Sequence, residues 1–222
     1  MDIAVLDRPL YTTADAARLL DMPPATLAWW LDGGVRSERV YEPVLRETPR
    51  TNSLVTWAEF VEARLLRGYR KAGVPLQSIR PFIARIREQF GIPYPLAHYR
   101  PLIDQQQLVY DLQRDVDLDE RLYLVRPGDG DQLQLAPPVE EFLRTVDLDE
   151  DKVVTRVRPF GDESPLAIDP QVRFGQPQIR GVRAEVIAET ADAEGEAAAA
   201  EAWDLSIEDV RDAVRWQHRR AA

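Results

Sequence analysis

The sequence contains no cysteine. That excludes a disulfide framework, a thiolate metal site and a cysteine nucleophile, and leaves the compartment open. Histidine is nearly missing too. His98 and His218 are the only two, far apart and outside any metal-ligand or general-base motif. No apolar run approaches the roughly 20 residues needed to cross a bilayer, so no membrane partner is expected. Residues Met1 to Pro9 carry Asp2 and Asp7 in place of a basic stretch followed by an apolar one, which makes a cytoplasmic location the expectation. A Gly-rich phosphate loop, a nucleophile elbow and paired carboxylates on one helix face are also lacking. The chain therefore reads as a non-enzyme, with no catalytic residue and no cofactor.

Acidic residues are plentiful and invite a metal reading. Asp115-x-Asp117-x-Asp119 and Asp147-x-Asp149-x-Asp151 have the opening spacing of a calcium loop. Such a loop needs glycine at its sixth position and a bidentate glutamate at its twelfth. Glu120 and Arg126 occupy those positions in one copy, Lys152 and Arg158 in the other. No metal site is expected, and both runs read as solvated entries to strands. They belong to an internal echo, Val116–Glu120 and Val146–Glu150, each leading to a Val-Arg-Pro.

The net charge of −10 is unevenly spread. Residues 1–100 hold 14 Lys and Arg against 11 Asp and Glu, a net of +3, so the remainder carries −13. A mildly basic front and a strongly acidic back point to different partners for the two parts. The alternative is an acidic surface that only confers solubility.

Local signals divide the chain further. Thr12-Thr-Ala-Asp15 is a helix cap, and Met22-Pro-Pro24 ends that helix and opens a second one with Leu27, Trp30 and Leu31 inside. Gly33-Gly34 ends it, giving a helix-turn-helix. Arg39–Leu45, a polar turn over 47–52 and Ser53–Val55 read as the hairpin of a wing, with Pro43 on an edge strand. A second capping box, Thr56–Glu59, starts a helix with Trp57, Phe60, Val61, Leu65 and Tyr69 inside, stopped by Gly73. From Pro75 onward Leu76, Ile79, Ile83, Ile86 and Phe90 have heptad spacing, suited either to a dimer seam or to the chain's own core. Pro81 inside that run forces a kink or a new helix start. Residues 108–112, 121–125 and 132–135 read as strands, the last two joined around Pro127–Gly130. A helix over Pro138–Thr145 and a strand over Lys152–Val157 follow. Beyond a turn-rich run, Phe174–Arg183, helices are expected over Ala184–Ala193, Glu196–Ala202 and from Ser206, the last behind a third capping box, Ser206–Asp209. The expected class is α+β, mainly helical. Its parts are an N-terminal winged helix-turn-helix (1–100), a small β-rich connecting segment (101–165) and a C-terminal three-helix, helix-turn-helix-like domain (166–222).

Tyr11 to Trp30, followed by Gly73-Val-Pro-Leu-Gln-Ser-Ile-Arg80, resembles the MerR-like winged helix-turn-helix. The resemblance implies that the second helix enters the major groove while the wing grips the backbone. Asp21 stands at that family's usual turn glycine, and Ala25 and Ala28 at positions that usually carry basic side chains. The expected DNA contacts are Thr26 and Trp29 on the second helix, with Arg18, Arg36, Arg39, Arg46 and Arg50 on phosphates. Trp29 and Trp30 have the alternative of packing on the helix that starts at Trp57.

Residues 164–216 contain Ser-Pro-Leu-Ala-Ile-Asp-Pro, then Phe-Gly-Gln-Pro-Gln-Ile-Arg-Gly-Val-Arg183, then Trp-Asp-Leu-Ser-Ile-Glu-Asp-Val210. They resemble a small bacterial domain with the hallmark Gly-x-Pro-x-Ile-Arg-Gly-Thr-Arg, departing from it at Val182. Members are often encoded beside PIN-domain ribonuclease toxins, and the combination looks like the long VapB-type antitoxins of actinobacteria. The resemblance implies two tasks: binding and inhibiting a PIN-domain toxin, and repressing the shared operon by binding operator DNA as a homodimer. A planar guanidinium suits the carboxylate pocket of a PIN ribonuclease. Candidates are Arg180 and Arg183 in the turn and Arg211, Arg215, Arg219 and Arg220 near the end. A turn held by Gly181 is the alternative for the first two, and favourable charge at a helix C-terminus for the last four. A stand-alone regulator with a C-terminal dimerisation or sensing module is the second functional reading.

Overall fold

The computed structural model describes residues 3–50, 54–70, 76–129 and 132–219. They fall into two compact units. One runs to Leu143 and includes Asp149–Val154, and the other comprises Arg144–Leu148 and the chain from Thr155 onward. Residues 101–165, expected as a segment of their own, are thus shared between the two. The class is α+β, mainly helical, with an N-terminal helix-turn-helix.

The first unit opens with a short helix α1 (Ile3–Leu6) and strand β1 (Pro9–Thr12). Helix α2 (Thr13–Leu19) begins where Thr12 Oγ1 accepts the Asp15 N–H at 3.1 Å. Asp21 then takes a left-handed φ of 51°, tolerable for a short polar side chain, and pairs with Arg67 at 2.6 Å. Helix α3 (Pro24–Asp32) buries Leu27, Trp30 and Leu31. Strands β2 (Gly34–Arg36) and β3 (Arg39–Tyr41) form a hairpin whose turn residues, Ser37 and Glu38, both have positive φ, the twist a two-residue hairpin turn needs. Strand β4 (Leu54–Thr56) pairs with β1, not with the 39–45 run. The wing therefore lies one turn earlier than its sequence signals indicated. Gly33-Gly34, read only as a helix stop, launches it.

Helix α4 (Trp57–Arg70) follows the expected capping box, in which Thr56 N–H donates to Glu59 Oε2 at 2.9 Å and Glu59 N–H to Thr56 Oγ1 at 3.3 Å. Trp57, Phe60, Val61, Leu65 and Tyr69 are all buried. A 3₁₀ turn over Leu76–Ile79 precedes α5 (Arg80–Phe90), which Pro81 opens from its first turn, where no N–H is needed. Leu76, Ile79, Ile83 and Ile86 are buried against their own chain and Phe90 is half-buried. The heptad face is therefore core.

Residues 101–122 depart from the expected strands. They form α6 (Arg100–Asp104), α7 (Gln106–Asp115) and a 3₁₀ turn at Glu120–Leu122. The β-prone run Leu108–Leu112 is helical because Val109, Leu112 and Gln113 share a face at helical spacing and bury it. Gln113 completes the fit. Its Oε1 accepts the N–H of Leu124 and Val125 at 2.7 and 3.1 Å, and its Nε2 donates to Val125 O at 2.7 Å. Strands β5 (Val125–Pro127) and β6 (Leu133–Leu135) make the expected hairpin, with its first strand four residues later than read, and α8 (Pro137–Leu143) follows.

Strand β7 (Val146–Leu148) pairs with β8 (Val154–Val157), whose residues from Thr155 on belong to the second unit. Strands β9 (Gln178–Ile179) and β10 (Val182–Arg183) follow a 3₁₀ turn at Arg173–Gly175. Helices α9 (Ala184–Glu194), α10 (Glu196–Trp203) and α11 (Ile207–Arg219) form the expected trio. Trp216 and Val210 of α11 are fully buried, and Ser206 and Asp209 exchange cap hydrogen bonds at 3.1 and 3.2 Å. In the internal echo Asp119 and Asp149 play one role: each side chain accepts the N–H two residues on at 3.0 Å. One copy leads to a 3₁₀ turn and the other follows β7. Gly73 and Pro75 as helix breaks, Gly130 in a turn, and Arg220 lie outside the described residues. Among the described residues no helix is long and apolar enough to cross a membrane.

Candidate functional site

The helix-turn-helix presents the solvent side of α3 beside the wing. Ala25 is exposed, Thr26 and Trp29 are half-buried, and Trp30 is buried. Trp29 leans on the wing, its ring centroid 5.3 Å from that of Tyr41. Gly34 makes room for it, since a Cβ there would come within 2.9 Å of the indole. Gly33 is equally constrained. It holds φ 66°, and a Cβ would meet Tyr41 O at 2.1 Å.

The hairpin register sets Arg36 directly opposite Arg39 and Val35 opposite Val40. All four side chains are exposed, and among the described residues neither arginine pairs with a carboxylate. Like charges across a strand pair repel each other. An anion lying between them would remove that repulsion, and a phosphate has the charge and donor demand to do so. Arg18 is half-exposed and pairs with Asp15 one turn earlier at 2.5 Å. Arg50 is exposed and reaches Glu59 at 3.1 Å.

Arg46 requires a correction. It is only 5% exposed and cannot reach DNA. Its guanidinium forks onto Glu59 at 2.8 and 3.0 Å, donates to Asp32 at 2.6 Å and to Leu54 O at 2.8 Å. This buried cation links the end of α3, strand β4 and the start of α4 behind the wing. The loop carbonyls after β3 are held from α5, by Arg80 on Pro43 O at 2.9 Å and Arg87 on Leu45 O at 2.5 Å. These roles carry no local signal: the carboxylate partners of Arg46 lie 13 and 14 residues away, and the carbonyls held by Arg80 and Arg87 lie 37 and 42 away.

In the second unit the turn-rich run is a compact loop. Arg180 and Arg183 are 64% and 52% exposed, with Asp209 and Glu185 at 3.7 and 3.9 Å. Arg211 is bound to Glu196 at 2.8 Å. Arg215 lies 3.8 Å over the Phe160 ring and Arg219 4.4 Å over that of Trp216. The helix-end arginines thus have intrachain partners, while the loop arginines have loose ones. Phe174, not singled out by the sequence, is exposed at the tip of this loop.

Residues 9–83 match a family model described as "Putative DNA-binding HTH domain". Across 95% of the chain and 91% of the relative, the sequence is 32% identical to the uncharacterized protein Rv2308 of Mycobacterium tuberculosis. The chain belongs to the Rv2308 family. A second M. tuberculosis relative, named "Putative antitoxin VapB45", is 29% identical over 79% of this chain and 78% of its own length. The X-ray crystal structure of Rv2018 from M. tuberculosis superposes with a TM-score of 0.76 at 27% identity, covering 94% of this chain and 99% of that one. This member of the Rv2308 family therefore shares one architecture with Rv2018 over nearly its whole length, second unit included.

Proposed function

We propose that the chain is a cytoplasmic, non-enzymatic antitoxin that binds and inhibits a PIN-domain ribonuclease and represses its own operon. Its MerR-like winged helix-turn-helix acts as the operator-binding module. The observation that carries the DNA half is the wing, where Arg36 and Arg39 face each other beside the open side of α3, without carboxylate partners among the described residues. The protein-binding half is supported by the relative named as an antitoxin and by the exposed arginines of the 173–183 loop. A guanidinium is the matching ligand for a metal-binding carboxylate pocket.

Operator binding as a homodimer uses a surface other than the Leu76–Phe90 face, whose residues are mostly occupied within one chain. Thr26, Trp29, Arg18 and Arg50 complete the DNA-facing set, and Arg180 and Arg183 lead the toxin-facing one. Co-expression with a PIN-domain ribonuclease encoded beside the chain tests the reading. A co-purifying complex with suppressed ribonuclease activity is the expected result, and no stable complex at micromolar concentration overturns it.

A further inference from the structure

Phe174 is 73% exposed, although its backbone sits at φ 55° and ψ 38°. A bulky side chain enters that left-handed region only at a cost, and such strain persists where the surroundings over-determine it. Here the turn does so. Arg173, itself at φ 51°, donates from Nε to Gly181 O at 2.7 Å. Gly181 N–H donates to the Gln178 side chain, and Asp169 accepts the Gln171 N–H at 2.8 Å. Gly175, Arg180 and Gly181 all have positive φ as well. The loop sets Phe174 on a hydrogen-bonded backbone and leaves its ring exposed.

The charge around the ring is equally particular. Residues 171–183 carry three arginines and no carboxylate, whereas 184–210 carry nine Asp and Glu and no Lys or Arg. The nearest carboxylates to Arg180 and Arg183 stand at 3.7 and 3.9 Å, the first on the buried cap residue Asp209 and the second on exposed Glu185, and pairings this long between an exposed arginine and its partner are worth little.

We propose that this loop is a protein-docking surface with Phe174 as its anchor. The ring seats in an apolar pocket of the partner, and carboxylates on the pocket rim meet Arg180 and Arg183. An exposed aromatic on a pre-formed turn supplies contact area with little backbone-ordering cost, which is how interface anchors work. A nucleic acid fits less well, because the nine carboxylates of residues 184–210 repel phosphates. The inference rests on the antitoxin reading and takes the PIN-domain protein as the partner.

The test uses the full chain as wild type, Phe174→Gly and Phe174→Leu, each titrated calorimetrically against the PIN-domain protein and followed by thermal unfolding. Glycine relieves the strain, so Phe174→Gly is expected to melt no lower than wild type. Its affinity is expected to fall by about tenfold or more, with Phe174→Leu between the two. Wild-type binding with both variants within about twofold of it overturns the docking surface and leaves the antitoxin reading standing. Loss of an oligonucleotide mobility shift in Phe174→Gly, with toxin binding intact, overturns it in favour of nucleic acid. No binding by wild type overturns the antitoxin reading itself, and this surface with it.

Discussion

Arg46 and Glu59 form a two-pronged ion pair inside the first unit, Nε to Oε1 at 2.8 Å and Nη2 to Oε2 at 3.0 Å. Both side chains are at most 2% exposed. The same carboxylate accepts the Thr56 N–H that caps α4, and Asp32 at the end of α3 takes the third arm of Arg46 and the N–H of Arg50. One buried cation thus ties together helix α3, the loop behind the wing, strand β4 and the start of α4. Removing it leaves the buried Glu59 with only the exposed Arg50 at 3.1 Å and the Thr56 N–H. Arg46→Met is expected to destabilise the protein by about 3–5 kcal/mol, read as a lowered urea midpoint. A loss below about 1 kcal/mol would show that the pair is not structural.

Arg36 and Arg39 predict the opposite behaviour. Arg36→Ala and Arg39→Ala relieve a like-charge pair, so stability is expected to hold or rise slightly. Each is expected to weaken operator binding across sequences and to reduce the salt slope of log K by about one. Mobility shifts at several salt concentrations check this, and unchanged slopes would remove the wing from the DNA interface.

Burial raises the carboxyl of Glu62 to about 8, against the smaller opposing pull of Arg87 and the Leu96 N–H. The folded protein therefore keeps Glu62 protonated where the unfolded chain has lost that proton. The stability it contributes is fully present below the ordinary glutamate range and is lost as pH rises through about 8. Urea midpoints of wild type and Glu62→Gln should diverge between pH 5 and 8.5, wild type falling relative to the variant by up to about 1.4 kcal/mol per pH unit. Parallel curves would show that Glu62 is ionised in the fold.

Gly33 cannot be replaced without moving the wing. Its φ is 66°, and a Cβ would overlap Tyr41 O at 2.1 Å. Gly33→Ala is expected to cost about 1–3 kcal/mol and to weaken operator binding through the displaced Trp29–Tyr41 contact. Stability within 0.5 kcal/mol of wild type, read from the same denaturation curves, would contradict the geometry.

Elements defined by neighbours in sequence were legible. Thr12 with Asp15, Thr56 with Glu59 and Ser206 with Asp209 each close a cap over three residues, and such contacts need no tertiary partner. The apolar face of α4, the new helix start at Pro81 and the trio α9–α11 follow from spacing in the same way. The candidate site was half legible. Arg36 and Arg39 stand on the wing, but Phe174 carries no sequence signal beyond its place in a turn-rich run. Its exposure and strain depend on how Arg173 reaches Gly181.

What the sequence determined by itself was local: where helices start and stop, which faces are apolar, and the contrast between a basic front and an acidic back. Tertiary structure alone decided which strand pairs with which, that Leu108–Leu112 coils around Gln113, that Arg46 is core rather than interface, and that the Leu76–Ile86 face packs inward. The physical reason is common to all four. A β-ladder, a buried charge and an apolar stripe are each satisfied by a partner distant in sequence, and local propensity is silent on which partner that is.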